Sequence, residues 1–292
     1  MNLVDWTAGG TRVELNGHRL FVRQDGEGRP VTLVHGFPTS SHDWAMTVPH
    51  LVAAGCRVTT LDLLGFGHSD KPSRHRYSIH EQADLVEAVW EHLDIRDTAL
   101  VAHDYGVSVA QELLARDPGR ITRTALLNGG LYADLHRPIL AQRLLHSRIG
   151  PLLARLTDEK RFTANLRSVL ARPVPDELLH DMWTSLTREK GHHLAPRLLR
   201  YIDDRRVHFH RWSDSLEQYG GPLLFVWGPE DPVSGAHVLE RLRRRRPDAS
   251  FTVLDGVGHY PQVEAPEEAA RALAAFIADT GDGQPVADLT RK

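Results

Sequence analysis

The chain has 292 residues, 41% hydrophobic and 25% charged, which excludes a disordered protein and leaves room for one large or two small packed domains. Its 35 Lys and Arg against 38 Asp and Glu give a net charge of −3, so nothing advertises nucleic acid or an anionic membrane as partner. The lone cysteine, Cys56, excludes an internal disulfide and a multi-cysteine zinc site and fits a reducing, cytoplasmic setting.

The elements follow in chain order. Met1 to Gly10 lacks the basic-then-apolar pattern of a secretory leader, and no apolar run approaches the ~20 residues that span a bilayer. Strands are expected at Thr11–Leu15, His18–Arg23 and Val31–Val34, with Asn16-Gly17 as a hairpin signal. Arg57–Asp62 alternates like a strand. Ile79–Leu93 places Ala83, Val86, Val89, Trp90 and Leu93 on one helical face. Thr98–Ala102 is a short apolar strand, Val107–Arg116 a helix closed by Asp117-Pro118-Gly119, and Ile121–Leu127 another strand. Leu223–Trp227 and Phe251–Leu254 are two more strands, and Glu267–Ile277 is the last clear helix.

Strands alternating with helices predict an α/β fold with a mostly parallel sheet covered on both faces. Residues 131–215 break the alternation. They are helical in pattern and carry a net +5 against −8 for the remainder, as a lid inserted between two strands would. The expected organisation is core over 1–130 and 216–281, a helical cap over 131–215, and a mobile polar tail over 282–292.

The sharpest motif is Ala102-His103-Asp104-Tyr105-Gly106. A strand runs into Asp104, a helix starts at once, and small residues sit two positions to either side. That is the pattern of a nucleophile elbow, with Asp in place of Ser. Taken alone, Asp104 reads better as an N-cap. Ser108, in Gly106-Val107-Ser108-Val109-Ala110, is a weaker candidate because it falls about one turn into the helix.

Three further segments favour the elbow. His35-Gly36-Phe37-Pro38 follows a strand and can supply one oxyanion N–H, Phe37, to complement that of Tyr105. Trp227-Gly228-Pro229-Glu230-Asp231 offers a carboxylate at a strand end, and Gly258-His259-Tyr260 a histidine after the last strand. The order Asp104, Asp231, His259 is that of nucleophile, acid and base in such folds.

On these residues the chain resembles the α/β-hydrolase superfamily over roughly residues 10–280. With Asp62-Leu63-Leu64-Gly65-Phe66-Gly67-His68-Ser69 added, it is similar to the epoxide hydrolase and haloalkane dehalogenase branch, whose nucleophile is an aspartate. Tyr77-Ser78-Ile79-His80-Glu81-Gln82-Ala83, Asn128-Gly129-Gly130, His136-Arg137-Pro138, Asp181-Met182-Trp183 and His259-Tyr260-Pro261-Gln262 bring it closest to the mesoderm-specific transcript subgroup. The resemblance implies an α/β-hydrolase fold with a helical cap and a cofactor-free reaction through a covalent ester. The implied partners are a small hydrophobic substrate and water.

Carboxylate attack suits an sp³ carbon with a strained or good leaving group, not an ester carbonyl. His259, oriented by Asp231, would then activate water. Dehalogenases usually place Trp after the nucleophile and in some cases Asn after the His-Gly pair; Tyr105 and Phe37 stand there instead. Epoxide hydrolases use cap tyrosines. Tyr201 is placed like the second of them, with helix packing an equal reading, and Tyr132 is the only other tyrosine of the insert. Epoxide hydrolysis is therefore the leading expectation, with haloalkane dehalogenation and a non-catalytic ligand-binding protein as alternatives.

Tyr132, Trp183 and His35 are candidates for the substrate pocket, although core packing is the stronger reading for Trp183. Asn128 cannot replace Asp231 because an amide carries no charge. Asp62 reads as a turn former and His103 as a structural histidine. No metal site is expected: His192-His193 and His208 with His210 read as solvated cap surface, and the run Arg243–Arg246 as a solvated helix face near Asp248.

Overall fold

The computed structural model describes residues 1–279 and contains one sheet of eight strands. These are β1 (Thr11–Leu15), β2 (His18–Asp25), β3 (Arg29–Val34), β4 (Cys56–Leu61), β5 (Thr98–His103), β6 (Ile121–Leu127), β7 (Leu223–Trp227) and β8 (Ser250–Val253). Their order in space is β1-β2-β4-β3-β5-β6-β7-β8. The pairs β1–β2 and β2–β4 are antiparallel and all others parallel. Asn16 and Gly17, both with positive φ, close the first hairpin as a two-residue primed turn demands.

The central strands read as continuous apolar runs because both their faces are buried. Leu100, Ala102, Leu126 and Phe225 face one layer of helices, while Val101, Ala125, Leu127 and Val226 face the other. Before the insert the helices are α1 (Leu3–Ala8), α2 (Val48–Ala53), α3 (Ile79–His92) and α4 (Tyr105–Arg116). In α3 the expected face is the buried one, with Ala83, Val86, Val89 and Trp90 sealed and Ser78 capping the N-terminus through the Glu81 N–H.

Between β6 and β7 every regular element of the described chain is a helix. Here lie α5 (Leu140–His146), α6 (Gly150–Arg155), α7 (Glu159–Arg167), α8 (Asp176–Thr187), α9 (Ala195–Leu198), α10 (Tyr201–Val207) and α11 (Phe209–Glu217). The insert has a small core of its own, in which Phe162, Leu166, Leu179 and Met182 meet Val233 and Tyr260 from loops at the ends of the sheet strands. Then come α12 (Ala236–Arg245), α13 (Pro261–Glu264) and α14 (Pro266–Ala278).

Most boundaries fall within two residues of the sequence reading, and β1, β6 and β7 coincide with it. The helices α1, α2 and α12 carry too short or too polar a pattern to read; α12 buries only Val238, Leu239 and Leu242. The run Arg243–Arg246 is not uniformly solvated. Arg246 is buried, pairing with Asp248 and donating to the Leu216 carbonyl, because it ends α12 against α11. The expected mobile tail lies outside the described residues. No described helix is long and apolar enough to cross a membrane.

Candidate active site

The site gathers at the C-terminal ends of β3, β5, β6, β7 and β8. At the end of β5, Asp104 has φ 45° and ψ −104°, a left-handed conformation costing roughly 1–3 kcal/mol in a non-glycine residue. The turn needs small neighbours: a Cβ on Gly106 would lie 2.6 Å from the Val34 carbonyl oxygen, and one on Gly36 would lie 2.8 Å from Asp104 Cβ. The turn thus brings the β3 loop onto Asp104. Phe37 N–H donates to Asp104 Oδ2 at 2.9 Å, and Tyr105, the other expected oxyanion residue, opens α4.

His259 Nε2 stands 3.6 Å from Asp104 Oδ1, and its Nδ1–H donates to Asp231 Oδ2 at 2.7 Å. Asp231 is fixed by further donors: Val233 N–H on Oδ1, and Ser234 Oγ and Asn128 Nδ2 on Oδ2. Asn128 also exchanges two bonds with the Gly228 backbone. It therefore acts as the acid's splint, joining the ends of β6 and β7. His103 donates from Nε2 to the His259 carbonyl at 2.7 Å, and burial drives it down to about 3, so it stays neutral.

Burial opposes ionisation of Asp104, but the hydrogen bond and charge of His259, with Arg205 beyond, outweigh it and hold the carboxyl well below the usual range. Burial likewise opposes protonation of His259, yet two flanking carboxylates raise its pKa. The resting site is thus an imidazolium between two carboxylates.

A cavity of about 110 Å³ adjoins His259. Phe37, Pro38, Val233, His259 and Tyr260 form its core side; apolar Ile139, Leu145, Phe162, Leu166 and Ala195 of the insert form the other, with Gln142, Asn165 and His192 as polar points. Tyr201 is brought to the centre. Its ring packs on Tyr105 at 4.8 Å and tilts toward Phe37, and its buried hydroxyl makes no well-formed hydrogen bond among the described residues, with Arg205 beside it. Burial, then the Asp104 charge, raises its pKa, so it is a neutral phenol.

Three expected pocket residues lie elsewhere. Both ring nitrogens of His35 are spent on the loop: Nδ1 donates to the Gly36 carbonyl and Nε2 accepts from Leu63 N–H, so the ring shapes the oxyanion turn rather than meeting substrate. Tyr132 turns away under the Arg241 guanidinium, in the core near α12. Trp183 packs against Phe162 and His192, one layer behind the cavity wall. His192, by contrast, lines the cavity, and His208 faces His80 of α3 with Nε2 atoms 3.1 Å apart; neither is the solvated surface residue anticipated. Ser108 Oγ accepts from Arg205, and Asp62 holds the Ser41 and His68 N–H groups as a turn former should.

Two important residues escape the sequence reading. Arg205 of α10 is buried beside the elbow, donating Nε–H to Ser108 Oγ at 2.7 Å and Nη2–H to the Asp104 carbonyl at 3.0 Å, with its guanidinium over Tyr201. Glu264 of α13 accepts from Gly258 and Tyr260, on either side of His259, and from Ala171 and Arg172 of the insert. No local pattern marks either one, since their partners are distant in sequence. A possible metal-ligand group, His18, His75 and Glu81, has ligand atoms within 4.8 Å of one another, but His75 already bonds both Glu81 oxygens.

A strand-end carboxylate on a strained turn, a facing histidine with its own acid and an N–H-lined loop define a hydrolase of the α/β class. The chain belongs to the alpha/beta hydrolase fold family, whose pattern matches residues 29–266. It is 39% identical over 285 residues to the protein named hydrolase LipZ in Mycobacterium tuberculosis, covering 94% of this chain and 98% of that one. It is also 39% identical over 294 residues to the mesoderm-specific transcript homolog protein of Bos taurus, covering 94% of this chain and 88% of that one. Among solved structures, the haloalkane dehalogenase DbeA of Bradyrhizobium elkani superposes with a TM-score of 0.80 at 24% identity, covering 92% of this chain and 97% of that one.

Proposed function

We propose that the protein hydrolyses epoxides to diols, with Asp104 as nucleophile, His259 as base, Asp231 as its orienting acid and Tyr201 as the phenol that protonates the leaving oxygen. The observation that carries this reading is the state of Asp104: Oδ2 is held by Phe37 N–H while Oδ1 looks toward His259 at 3.6 Å.

Asp104 attacks a ring carbon, the C–O bond opens, and its oxygen takes the Tyr201 proton, leaving an ester on Asp104. Esterification removes the Asp104 charge, so the pKa of His259 falls and the ring loses its proton. His259 Nε2 then takes a proton from water, whose oxygen attacks Asp104 Cγ. The N–H groups of Phe37 and Tyr105 hold the oxyanion until the diol leaves and the carboxylate returns. Tyr201 recovers its proton from the imidazolium or from water.

The test is His259→Gln incubated with an epoxide panel and a bromoalkane panel, followed by intact mass and peptide mapping. An adduct on Asp104 from epoxides supports the proposal. Bromide release with a bromoalkane adduct would assign the dehalogenase reading instead; protein unmodified by either panel would leave a binding protein.

A further inference from the structure

Residues 135–157, covering α5, α6 and their flanks, contain four arginines and no acidic residue. Five of the nine large hydrophobic side chains exposed among the described residues lie here: Leu140, Leu144, Ile149, Leu152 and Leu156, each between 41% and 70% exposed. Arg137, Arg143, Arg148 and Arg155 stand exposed among them. None makes an ion pair among the described residues, whereas Arg161 and Arg167 in the next helix pair with Asp158 and Asp176. Carboxylates bordering the stretch are already engaged: Asp134 by Arg241, Asp158 by Arg161, and Asp203 by His146 and Arg200. The inner face of the same stretch, Ile139, Ala141, Gln142, Leu145 and Thr157, walls the cavity next to His259.

We infer that this face of the insert docks on an anionic lipid bilayer. Leucines interspersed with unpaired arginines suit an interface in which aliphatic tips enter the acyl boundary while guanidinium heads stay among phosphates. A second copy of the chain is a poor occupant, since a two-fold contact would set four unpaired arginines against four more. No described helix is long and apolar enough to cross a membrane, so the docking inferred for this face is peripheral. It places the apolar cavity beside the acyl chains and gives a lipid-dissolved substrate a short path inward. The whole-chain charge of −3 hides this surface because the acids lie mostly outside the insert.

Docking is read without turnover, so it stands or falls separately from the chemistry assigned to Asp104. The full chain is sedimented with phosphatidylcholine vesicles and with vesicles containing phosphatidylglycerol, at low and high salt. The expected result is partition onto the phosphatidylglycerol vesicles, at least about tenfold weaker on phosphatidylcholine and weakened by salt. The charge reversal Arg143→Glu/Arg148→Glu/Arg155→Glu should cost roughly fivefold or more per arginine. Leu144→Ser/Leu152→Ser should weaken binding with no change in Tm, because both side chains are exposed. Equal binding to both vesicle types, or binding indifferent to these variants, would overturn the inference. So would a chain that ignores vesicles and forms a dimer that the leucine variants dissolve.

Discussion

The sheet and the insert share the active site unequally. Of the groups proposed to act in the reaction the sheet supplies all but one: Asp104, Asp231, His259 and the Phe37 N–H stand on strand-end loops, and the Tyr201 phenol alone comes from the insert. The insert supplies restraint. Arg205 grips the Asp104 carbonyl, and the Val169 carbonyl accepts His259 N–H at 2.9 Å. Chemistry placed on a packed sheet is held to tenths of an ångström by the core beneath it. A layer of short helices, with four to twelve residues each, can clamp that chemistry and shape a cavity over it without owning it. The comparison predicts that sheet substitutions abolish reaction, whereas insert substitutions grade it.

The largest effect is therefore expected at the elbow. Asp104→Asn should lower epoxide turnover by at least about 10³-fold, as removal of a covalent nucleophile does elsewhere. Tm at neutral pH should fall, because the lowered pKa of Asp104 and the raised pKa of His259 mean that their charge pair stabilises the fold. Ser108→Ala keeps the nucleophile and costs far less. If Asp104→Asn retained turnover measured as diol release, the sheet would not own the chemistry.

Arg205→Met comes next, with turnover falling on the order of 10²-fold. The cation that helps keep Asp104 ionised disappears, and a buried carbonyl and hydroxyl lose their donor at roughly 1–3 kcal/mol of stability. Arg205→Lys should recover little, because one ammonium cannot span both acceptors as the fork does. Its signature is a rise in the pH at which kcat/KM falls on the acid side, which a purely structural loss would not move.

The contrast also explains what could be read from the sequence. Strand-end residues announce themselves, since the apolar run, the small-x-Asp-x-small spacing and the loop histidine are all local. Asp104, Asp231 and His259 could be named on that basis, and the structure puts them within reach of one another. The insert residues act through tertiary contacts. Arg205 looks like any arginine in Asp203-Asp204-Arg205-Arg206, and its role exists only because α10 folds back onto the turn after β5. Tyr132 and Trp183 fail for the complementary reason: being aromatic and inside the insert says nothing of which way each faces.

A moderate effect is expected with pH. Since His259 has a raised pKa in the folded protein, its contribution to stability is full below about 6.5, the ordinary value, and is lost as pH climbs through the raised one. Wild-type Tm should fall between neutral and alkaline pH more steeply than that of Asp104→Asn, which lacks one flanking carboxylate. In turnover the sign differs. The ester has no Asp104 charge, so His259 titrates lower, and kcat should fall as pH drops below roughly 6 because the protonated ring cannot act as base. A kcat profile flat to acid would remove His259 from the hydrolytic step.

The smallest effects separate two phenols that look alike. Tyr132 and Tyr201 are both sealed, and neither hydroxyl makes a well-formed hydrogen bond among the described residues, although Glu217 approaches the first and Arg205 the second. Deleting a buried, unpaired hydroxyl leaves nothing behind to be orphaned, so each Tyr→Phe variant should change stability by less than about 1 kcal/mol, in the favourable direction if at all. Their kinetics should part. Tyr201 lies against Tyr105 beside Asp104, and Tyr201→Phe should lower kcat on epoxides by about 10- to 10²-fold, at the low end of or below the usual worth of one positioned acid. Tyr132→Phe, under Arg241 and away from the cavity, should leave kcat and KM within about twofold of wild type, as substitutions remote from a site do. An equal loss in both would mean that the phenols act through the packing of the insert, and Tyr201 would then lose its place as proton donor.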